Sequence, residues 1–207
     1  MNLRIESLFS VAGKVALVTG GSRGIGEMIA RGLVENGARV YISSRKSDVC
    51  DALAKELSAY GECISLPADL SRPDEVERLA ALVSEREPKL DILINNAGAA
   101  WGEPFDGFPE KGWDRVMDLN VKSLFFLTQQ LVGPLERAGS ADDPARVINI
   151  GSIDGLQAPA MENFSYSASK AAVHQLTRHL ASFLAARHIN VNAIAPGFFP
   201  SKMTEFM

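Results

Sequence analysis

Short apolar runs alternate with longer amphipathic segments along almost the whole chain. The short runs are KVALVT, RVYISS, CISLPA, LDILIN, ARVINI and INVNAIA. Most of them are continuously apolar, which is typical of strands that are covered on both faces of a parallel sheet. Their regular alternation with helical segments predicts an α/β fold, a doubly wound parallel sheet with helices on both faces and right-handed crossovers.

The amphipathic segments predict five helices. They are expected over about 24–36, 48–61, 72–85, 112–137 and 164–187. Pro73 and the acidic residues that follow it favour a helix start at the third of these. Because no repeat, low-complexity tract or linker interrupts the pattern, residues 1–207 are expected to form a single domain.

Composition narrows the class of protein. The 207 residues are 46% hydrophobic and 22% charged, with a net charge of -4. Such a chain can bury one sizeable core, and its mild negative charge argues against a large nucleic-acid-binding face. No apolar run reaches the length of a membrane span, and the N-terminus lacks the apolar core of a secretory signal. Cys50 and Cys63 match no metal or redox spacing, which favours a reduced, cytoplasmic compartment.

Every predicted strand is followed by a small, polar or glycine-containing segment. These segments are TGGSRGIG, SRK, ADL, NNAG, GSIDG and PGFF. In open parallel sheets, ligands bind at the carboxyl ends of the strands. The sequence therefore predicts a binding site along that edge of the sheet.

The first of these segments favours a dinucleotide. Gly20, Gly24 and Gly26 lie between the first strand and the first helix, in the spacing G-x-x-x-G-x-G. Glycines permit a tight turn and close backbone approach, and the N-terminus of a helix attracts pyrophosphate. An ordinary glycine-rich turn between strand and helix remains the alternative.

The end of the second strand bears on the choice of cofactor. An acidic residue there would bind the ribose hydroxyl of NAD, but this chain has Ser44 and Arg45 instead. Arg23 lies within the glycine loop, so the two arginines could hold a 2′-phosphate with their planar donors. This arrangement favours NADP(H) over NAD(H). Alternatively, both arginines are solvated surface charges.

Asn120 is expected to point inward. It shares one helical face with Val116, Leu119, Leu124 and Leu127. A buried asparagine needs partners for its donors and its acceptor. It has either a catalytic role or a structural one, tying its helix to a neighbouring loop.

Ser152, Tyr166 and Lys170 form the most informative set. A serine hydroxyl can bind a carbonyl oxygen, and a phenol can exchange a proton with that oxygen. Free tyrosine has a pKa of about 10, and a lysine one helical turn away is expected to lower it. Tyr-x-x-x-Lys alone is a weak motif, but here it follows the serine strand and the glycine loop.

Other chemistry finds little support in the sequence. The three histidines, His174, His179 and His188, have no metal-ligand spacing and are expected to be surface or packing residues. Ser152 is not part of a G-x-S-x-G turn, which argues against a hydrolase nucleophile.

Together these motifs resemble the short-chain dehydrogenase/reductase family. The matching stretches run from about Gly13 to Met203 and include TGGSRGIG, ADL, NNAG, YSASK and PGFF. The resemblance implies a Rossmann-type, NAD(P)-binding domain. Within the family, the stretches LSAYGEC, NNAGAAWG, PARVINIGS and APGFFPSKMT are most similar to 3-oxoacyl-[acyl-carrier-protein] reductases of the rhamnolipid-biosynthesis type.

The resemblance also implies roles for individual residues. The expected catalytic residues are Asn120, Ser152, Tyr166 and Lys170. The residues expected to bind the cofactor are Gly20, Ser22, Arg23, Gly24, Ile25, Gly26, Ser44, Arg45, Asp69, Leu70, Asn96, Ala97, Gly98, Tyr166, Lys170, Pro196 and Gly197. Asn120 would support a water in the proton relay, Lys170 would hold the nicotinamide ribose, and the loop at Pro196 would cover the nicotinamide.

The expected function is hydride transfer from NADPH to a ketone, most specifically a small-molecule or carrier-linked 3-oxoacyl thioester. The alternatives are an NAD(P)-linked alcohol or sugar dehydrogenase and a non-catalytic dinucleotide-binding regulator. Family members normally continue beyond the position of Met207 with a substrate loop, a helix and a final strand, so this last strand is expected to be absent. A homo-oligomer, either a dimer or a tetramer, is also expected.

Overall fold

The computed structural model describes residues 9–197 and Phe199, and within them it contains one six-stranded sheet. The strands are β1 (Val15–Thr19), β2 (Arg39–Ser43), β3 (Cys63–Ser65), β4 (Ile92–Asn95), β5 (Ala145–Ile150) and β6 (Ile189–Ile194). Every neighbouring pair is parallel, in the order β3-β2-β1-β4-β5-β6. The strand order reverses between β1 and β4, where ligands bind in sheets of this kind. The predicted doubly wound fold is confirmed.

Helices cover both faces of the sheet. They are α1 (Gly24–Glu35), α2 (Ser47–Leu57), α3 (Pro73–Arg86), α4 (Glu110–Met117), α5 (Ser123–Ala138) and α6 (Phe164–Leu184). Pro73 occupies the first turn of α3, as predicted from the sequence. Between α6 and β6, the chain turns through Ala185–Arg187 and His188, which has a left-handed backbone with φ 55°.

Successive residues of β1 supply two separate hydrophobic cores. Leu17 points to the core formed with α3, α5 and α6, where it joins Leu93 and Leu131. Ala16 and Val18 point to the opposite core, formed with α1 and α2. Because side chains alternate across a strand, a continuously apolar run is what a sheet covered on both faces requires.

The predicted helix over 112–137 is wrong in one respect. It is interrupted by a π-helical turn at Asp118–Lys122, which separates α4 from α5. Asn120 lies in this turn. Single π turns within helices are frequently found at functional sites, and an apolar period of 3.6 cannot reveal them.

Ion pairs close the amino ends of the strands, called here the amino rim. Lys14 Nζ lies 2.6 Å from Asp143 Oδ2 and 3.7 Å from Asp91 Oδ1. Arg39 lies 2.7 Å from Glu62 and 2.9 Å from Glu87, which also accepts a 2.7 Å hydrogen bond from the Tyr41 hydroxyl. The opposite edge, where the strands end, is called the carboxyl rim.

Within residues 9–197 and Phe199, no helix is long and apolar enough to cross a membrane. The same residues contain no group of three or more histidine, cysteine, aspartate or glutamate side chains arranged to hold a metal ion. Cys50 and Cys63 are both buried and free.

Candidate active site

The glycine loop after β1 has the backbone that its sequence requires. Gly20 and Gly24 have φ of 62° and 57°, a region that other residues rarely adopt. A Cβ at Gly26 would collide with the Gly20 carbonyl oxygen. Asn96 Nδ2 donates to the Thr19 and Gly20 carbonyls at 2.9 and 3.1 Å and holds the turn against β4. A larger residue at these positions would force the loop and helix apart.

The same loop leaves room for a pyrophosphate. No atom lies within 4 Å of the position that a Cβ would occupy at Gly24, where α1 begins. The first backbone N–H groups of a helix lack partners within the helix, and they attract anions. Ser22 and Ile25, also expected to contact the cofactor, flank Gly24 and are half-buried. These features fit a dinucleotide.

The carboxyl end of β2 presents Ser44, Arg45 and, across from it, Arg23. Both arginines are exposed, and neither takes part in an ion pair within residues 9–197. The Ser44 carbonyl accepts a hydrogen bond from the Ala68 N–H at 3.1 Å. The arginines therefore remain available for a phosphate group.

The ADL segment after β3 divides its two expected cofactor residues. Asp69 is half-buried, and its Oδ1 accepts hydrogen bonds from the backbone and hydroxyl of Ser71 at 3.2 and 2.8 Å. The Leu70 side chain is buried in the hydrophobic core. Only Asp69 has a side chain that reaches the rim, so a contact of Leu70 with the cofactor would have to come from its backbone.

Asn120 is buried, and its amide is fully engaged. Its Oδ1 accepts from the Ala99 N–H at 2.8 Å, and its Nδ2 donates to the Ala99 carbonyl and the Ser169 hydroxyl, each at 2.9 Å. Of the two readings of the sequence, the structural one describes this side chain. It joins the π turn to the loop after β4 and to α6.

A chain of buried polar side chains lies beneath the rim. Asn95 Nδ2 donates to Thr128 Oγ1 and to Asn149 Oδ1, and Asn149 Nδ2 donates to Thr177 Oγ1, at 2.9 to 3.0 Å. The chain ties β4 and β5 to α5 and α6. The sequence analysis treated both strands as apolar runs and missed this network.

Ser152 is buried in the loop after β5, close to α6. Its Oγ accepts a hydrogen bond from the Asp154 N–H at 3.2 Å. Its carbonyl oxygen lies 3.0 Å from His174 Nε2, which donates to it when that nitrogen carries the proton. His174 is buried one helical turn beyond Lys170. It was expected only at the surface or in packing, and its spacing of four from Lys170 was the available signal.

Tyr166 lies beside Ser152, but the pKa predicted for it is wrong in direction. Burial raises the pKa of the phenol, a hydrogen bond with the Ser152 side chain lowers it, and the Asp154 carboxylate raises it further. The net effect is a pKa above 10. Lys170 is not among the groups that shift it. The phenol therefore stays protonated at neutral pH.

Lys170 is buried and bonded elsewhere. Its Nζ donates to the Ile150 carbonyl at 2.7 Å and lies 5.5 Å from the centre of the Tyr166 ring. Burial lowers the pKa of this ammonium from 10.5 to about 8. The lysine thus faces the site, as predicted, while its single hydrogen bond within residues 9–197 leaves two N–H donors for a ligand.

The remaining expected residues surround this group. A Cβ at Gly98 would lie 3.3 Å from Asn120 Oδ1 and 3.8 Å from Lys170 Nζ. The Ala97 N–H donates to Thr19 Oγ1 at 3.0 Å. The Pro196 carbonyl accepts from the Ile153 N–H at 3.1 Å, which joins the loop after β6 to the loop after β5. Gly197 is exposed, with open space around it, and most of the stretch beyond it lies outside the described residues.

Comparison with known proteins identifies the family. The model of the short chain dehydrogenase family matches residues 14–207. A rhamnolipid-biosynthesis 3-oxoacyl-[acyl-carrier-protein] reductase of Pseudomonas aeruginosa is 55% identical over 196 residues, which is 95% of this chain and 77% of that protein. A 2-dehydro-3-deoxy-D-gluconate 5-dehydrogenase of Dickeya dadantii is 38% identical over 208 residues, covering 97% and 78%.

A solved structure agrees in fold over nearly all of this chain. The complex of Pseudomonas aeruginosa RhlG with NADP superposes with a TM-score of 0.92 at 54% identity, covering 95% of this chain and 77% of that one. The chain belongs to the short-chain dehydrogenase family. It is an oxidoreductase, and the family predicted from its motifs is confirmed.

Proposed function

We propose that this protein is an NADPH-dependent reductase of a ketone, and that its substrate is a 3-oxoacyl thioester. The observation that carries the proposal is a buried, protonated phenol, Tyr166, hydrogen-bonded to Ser152 beside the Lys170 ammonium. A neutral phenol is a proton donor, which is the group that reduction of a ketone requires. The same phenol would have to ionise first to act as the base of an alcohol oxidation.

The catalytic roles follow from these positions. Bound NADPH supplies the hydride that reaches the carbonyl carbon. The Ser152 hydroxyl donates to the ketone oxygen and polarises it, and Tyr166 transfers its proton to that oxygen as charge develops there. Lys170, held by the Ile150 carbonyl, uses its remaining donors to fix the nicotinamide ribose. Asn120 acts by holding the loop and α6 together around the site.

The cofactor preference rests on the end of β2. The glycine loop of Gly20, Gly24 and Gly26 accommodates the pyrophosphate. Arg23 and Arg45, exposed and without acidic partners in the described chain, bind a 2′-phosphate. The complex of the 54%-identical RhlG with NADP supports this assignment.

The substrate class rests on similarity. The relative with 55% identity is named for the reduction of 3-oxoacyl groups on acyl carrier protein. A second candidate function, dehydrogenation of a sugar acid, is favoured only by the relative with 38% identity. Substrate specificity transfers less reliably than reaction type within a fold, so the two must be separated by assay.

The assay measures NADPH oxidation with a series of 3-oxoacyl thioesters, a 5-oxo sugar acid and simple ketones. Repeating it with NADH and with the Arg45→Asp variant tests the cofactor assignment. We expect the thioesters to be reduced with the highest kcat/KM, and the variant to lose its preference for NADPH. Faster turnover of the sugar acid would favour the second candidate. Tight NADPH binding with no turnover of any ketone would indicate a non-catalytic regulator.

Two further expectations stay predictions. A homo-oligomer, dimer or tetramer, is tested by sedimentation of the purified protein. A cytoplasmic location is tested by fractionation of cells that express it.

A further inference from the structure

Asp154 is an acidic side chain beside the reacting groups, and the proposed mechanism does not use it. It lies two residues after Ser152, in the short turn Ile153–Gly155. Its backbone N–H donates to the Ser152 Oγ at 3.2 Å. A charge placed this close to a catalytic hydroxyl is in a position to act on any substrate that the hydroxyl binds.

The carboxylate is held in place from the other side by α6. Asn163, itself 8% exposed, donates from Nδ2 to Asp154 Oδ2 at 3.0 Å. Asn163 immediately precedes α6, three residues before Tyr166. The carboxylate is therefore fixed between the loop that carries Ser152 and the start of the helix that carries Tyr166.

The turn that carries Asp154 has little freedom to move away. The Ile153 N–H donates to the Pro196 carbonyl at 3.1 Å. A Cβ at Gly155 would lie 2.5 Å from the backbone carbonyl carbon of Lys170, so the turn packs directly on α6. The position of the charge is thus set by contacts on both sides of the turn.

No cation neutralises this carboxylate within residues 9–197. Asp154 is in none of the ion pairs of that part of the chain, and the nearby Lys170 ammonium is bonded to the Ile150 carbonyl. Its negative charge also contributes to the raised pKa of Tyr166. The field of Asp154 therefore reaches the phenol oxygen, which is where the substrate carbonyl must bind.

We propose that Asp154 is a specificity residue that disfavours ketones with a carboxylate near the carbonyl and so favours uncharged acyl groups. The inference rests on the proposed function as a ketone reductase. Like charges in a partly buried site repel each other, and the penalty falls on the anionic substrate alone. A 3-oxoacyl thioester is uncharged around its ketone. The sugar acid in the name of the Dickeya relative carries a carboxylate.

The test uses a matched pair of stable ketones, 4-oxopentanoate and its methyl ester, with NADPH as reductant. The wild-type protein is compared with Asp154→Asn, which keeps an oxygen to accept the Asn163 hydrogen bond and removes the charge. Glu77→Gln, at an exposed position on α3, changes the net charge equally and serves as the control.

The measured quantity is the ratio of kcat/KM for the ester to kcat/KM for the acid. We expect Asp154→Asn to lower this ratio at least about fivefold, as expected for a Coulombic interaction in a partly screened site, and Glu77→Gln to leave it unchanged. An unchanged ratio in Asp154→Asn overturns the specificity role. Failure of every variant to reduce either ketone would instead contradict the proposed function.

A second measurement does not depend on turnover. Ultraviolet titration of the protein without substrate reports the ionisation of its tyrosines, and the Tyr166→Phe background identifies the component that belongs to Tyr166. Removing the Asp154 charge is expected to move this component to lower pH. An unshifted component would show that the charge does not reach the phenol, and the inference would fail independently of any activity.

Discussion

The two rims of the sheet use charged residues in opposite ways. At the amino rim, Lys14 and Arg39 each bond two carboxylates, and Glu87 is shared between Arg39 and the Tyr41 hydroxyl. At the carboxyl rim, Lys170 is buried with one carbonyl as its partner, and Asp154 is in no ion pair of the described chain. One rim satisfies its charges internally, and the other keeps them available for ligands.

This difference implies that the carboxyl rim reduces stability. Burial lowers the pKa of Lys170 from 10.5 to about 8, so keeping it charged at neutral pH costs about 3 kcal/mol of folding free energy. Active sites commonly hold such strained or desolvated groups, and their removal stabilises the fold at the expense of function.

The largest expected effect comes from Lys170→Met. We expect turnover to fall at least about 10²-fold, since the ribose loses its anchor, and the free energy of unfolding at pH 7 to rise by about 1–3 kcal/mol. Below pH 8 the wild-type lysine is protonated in both the folded and the unfolded state. Between pH 8 and 10.5 the folded form releases its proton first, so wild-type stability rises with pH and the advantage of the variant shrinks. Urea unfolding at several pH values measures this.

Lys14→Met at the amino rim is the matched control. Its ammonium is paired with Asp143 and Asp91, so we expect the same substitution there to lower stability by about 1 kcal/mol and to leave turnover unchanged. Equal destabilisation by the two variants would remove the contrast between the rims.

His174→Ala tests how far the carboxyl rim depends on residues that touch no substrate. We expect kcat to fall about tenfold, because the Ser152 carbonyl loses its partner and the loop shifts, with the Kd for NADPH unchanged. His179→Ala, an exposed position on the same helix, is the control. If kcat in His174→Ala equals that of the control, His174 is only a packing residue.

The smallest effect on activity is expected at Glu87. Glu87→Ala leaves the buried Tyr41 hydroxyl without its acceptor, and should lower the free energy of unfolding by about 1–3 kcal/mol with kcat unchanged. Glu62→Ala removes the exposed partner of Arg39 and should cost at most about 1 kcal/mol. A large loss of kcat in Glu87→Ala would show that the amino rim takes part in function.

Much of this architecture could be predicted from the sequence, because its signals are local or periodic. All six predicted strands are present, and so are the helices that follow them. The glycine loop was recognisable because Gly20 and Gly24 need backbone conformations that few other residues adopt. The expected meeting of Ser152, Tyr166 and Lys170 followed from the rule that strand ends converge at one rim.

The remaining features depend on contacts between distant segments. The π turn at Asp118–Lys122 is a single-turn irregularity that no apolar period reports. The direction of the Tyr166 pKa shift was mispredicted because spacing gave the distance to Lys170 along the helix but not the depth of burial. The roles of His174 and Asp154 depend on how the loop after β5 packs against α6, which three-residue and four-residue spacings do not specify.

The most direct test replaces Tyr166 by phenylalanine and measures kcat and the Kd for NADPH on the same preparation. Removing only the phenol oxygen should reduce turnover of a 3-oxoacyl thioester by at least about 10²-fold while NADPH binds as tightly as before. If the variant reduces the ketone at the wild-type rate, the proton comes from another group, and the chemistry assigned to the carboxyl rim is wrong.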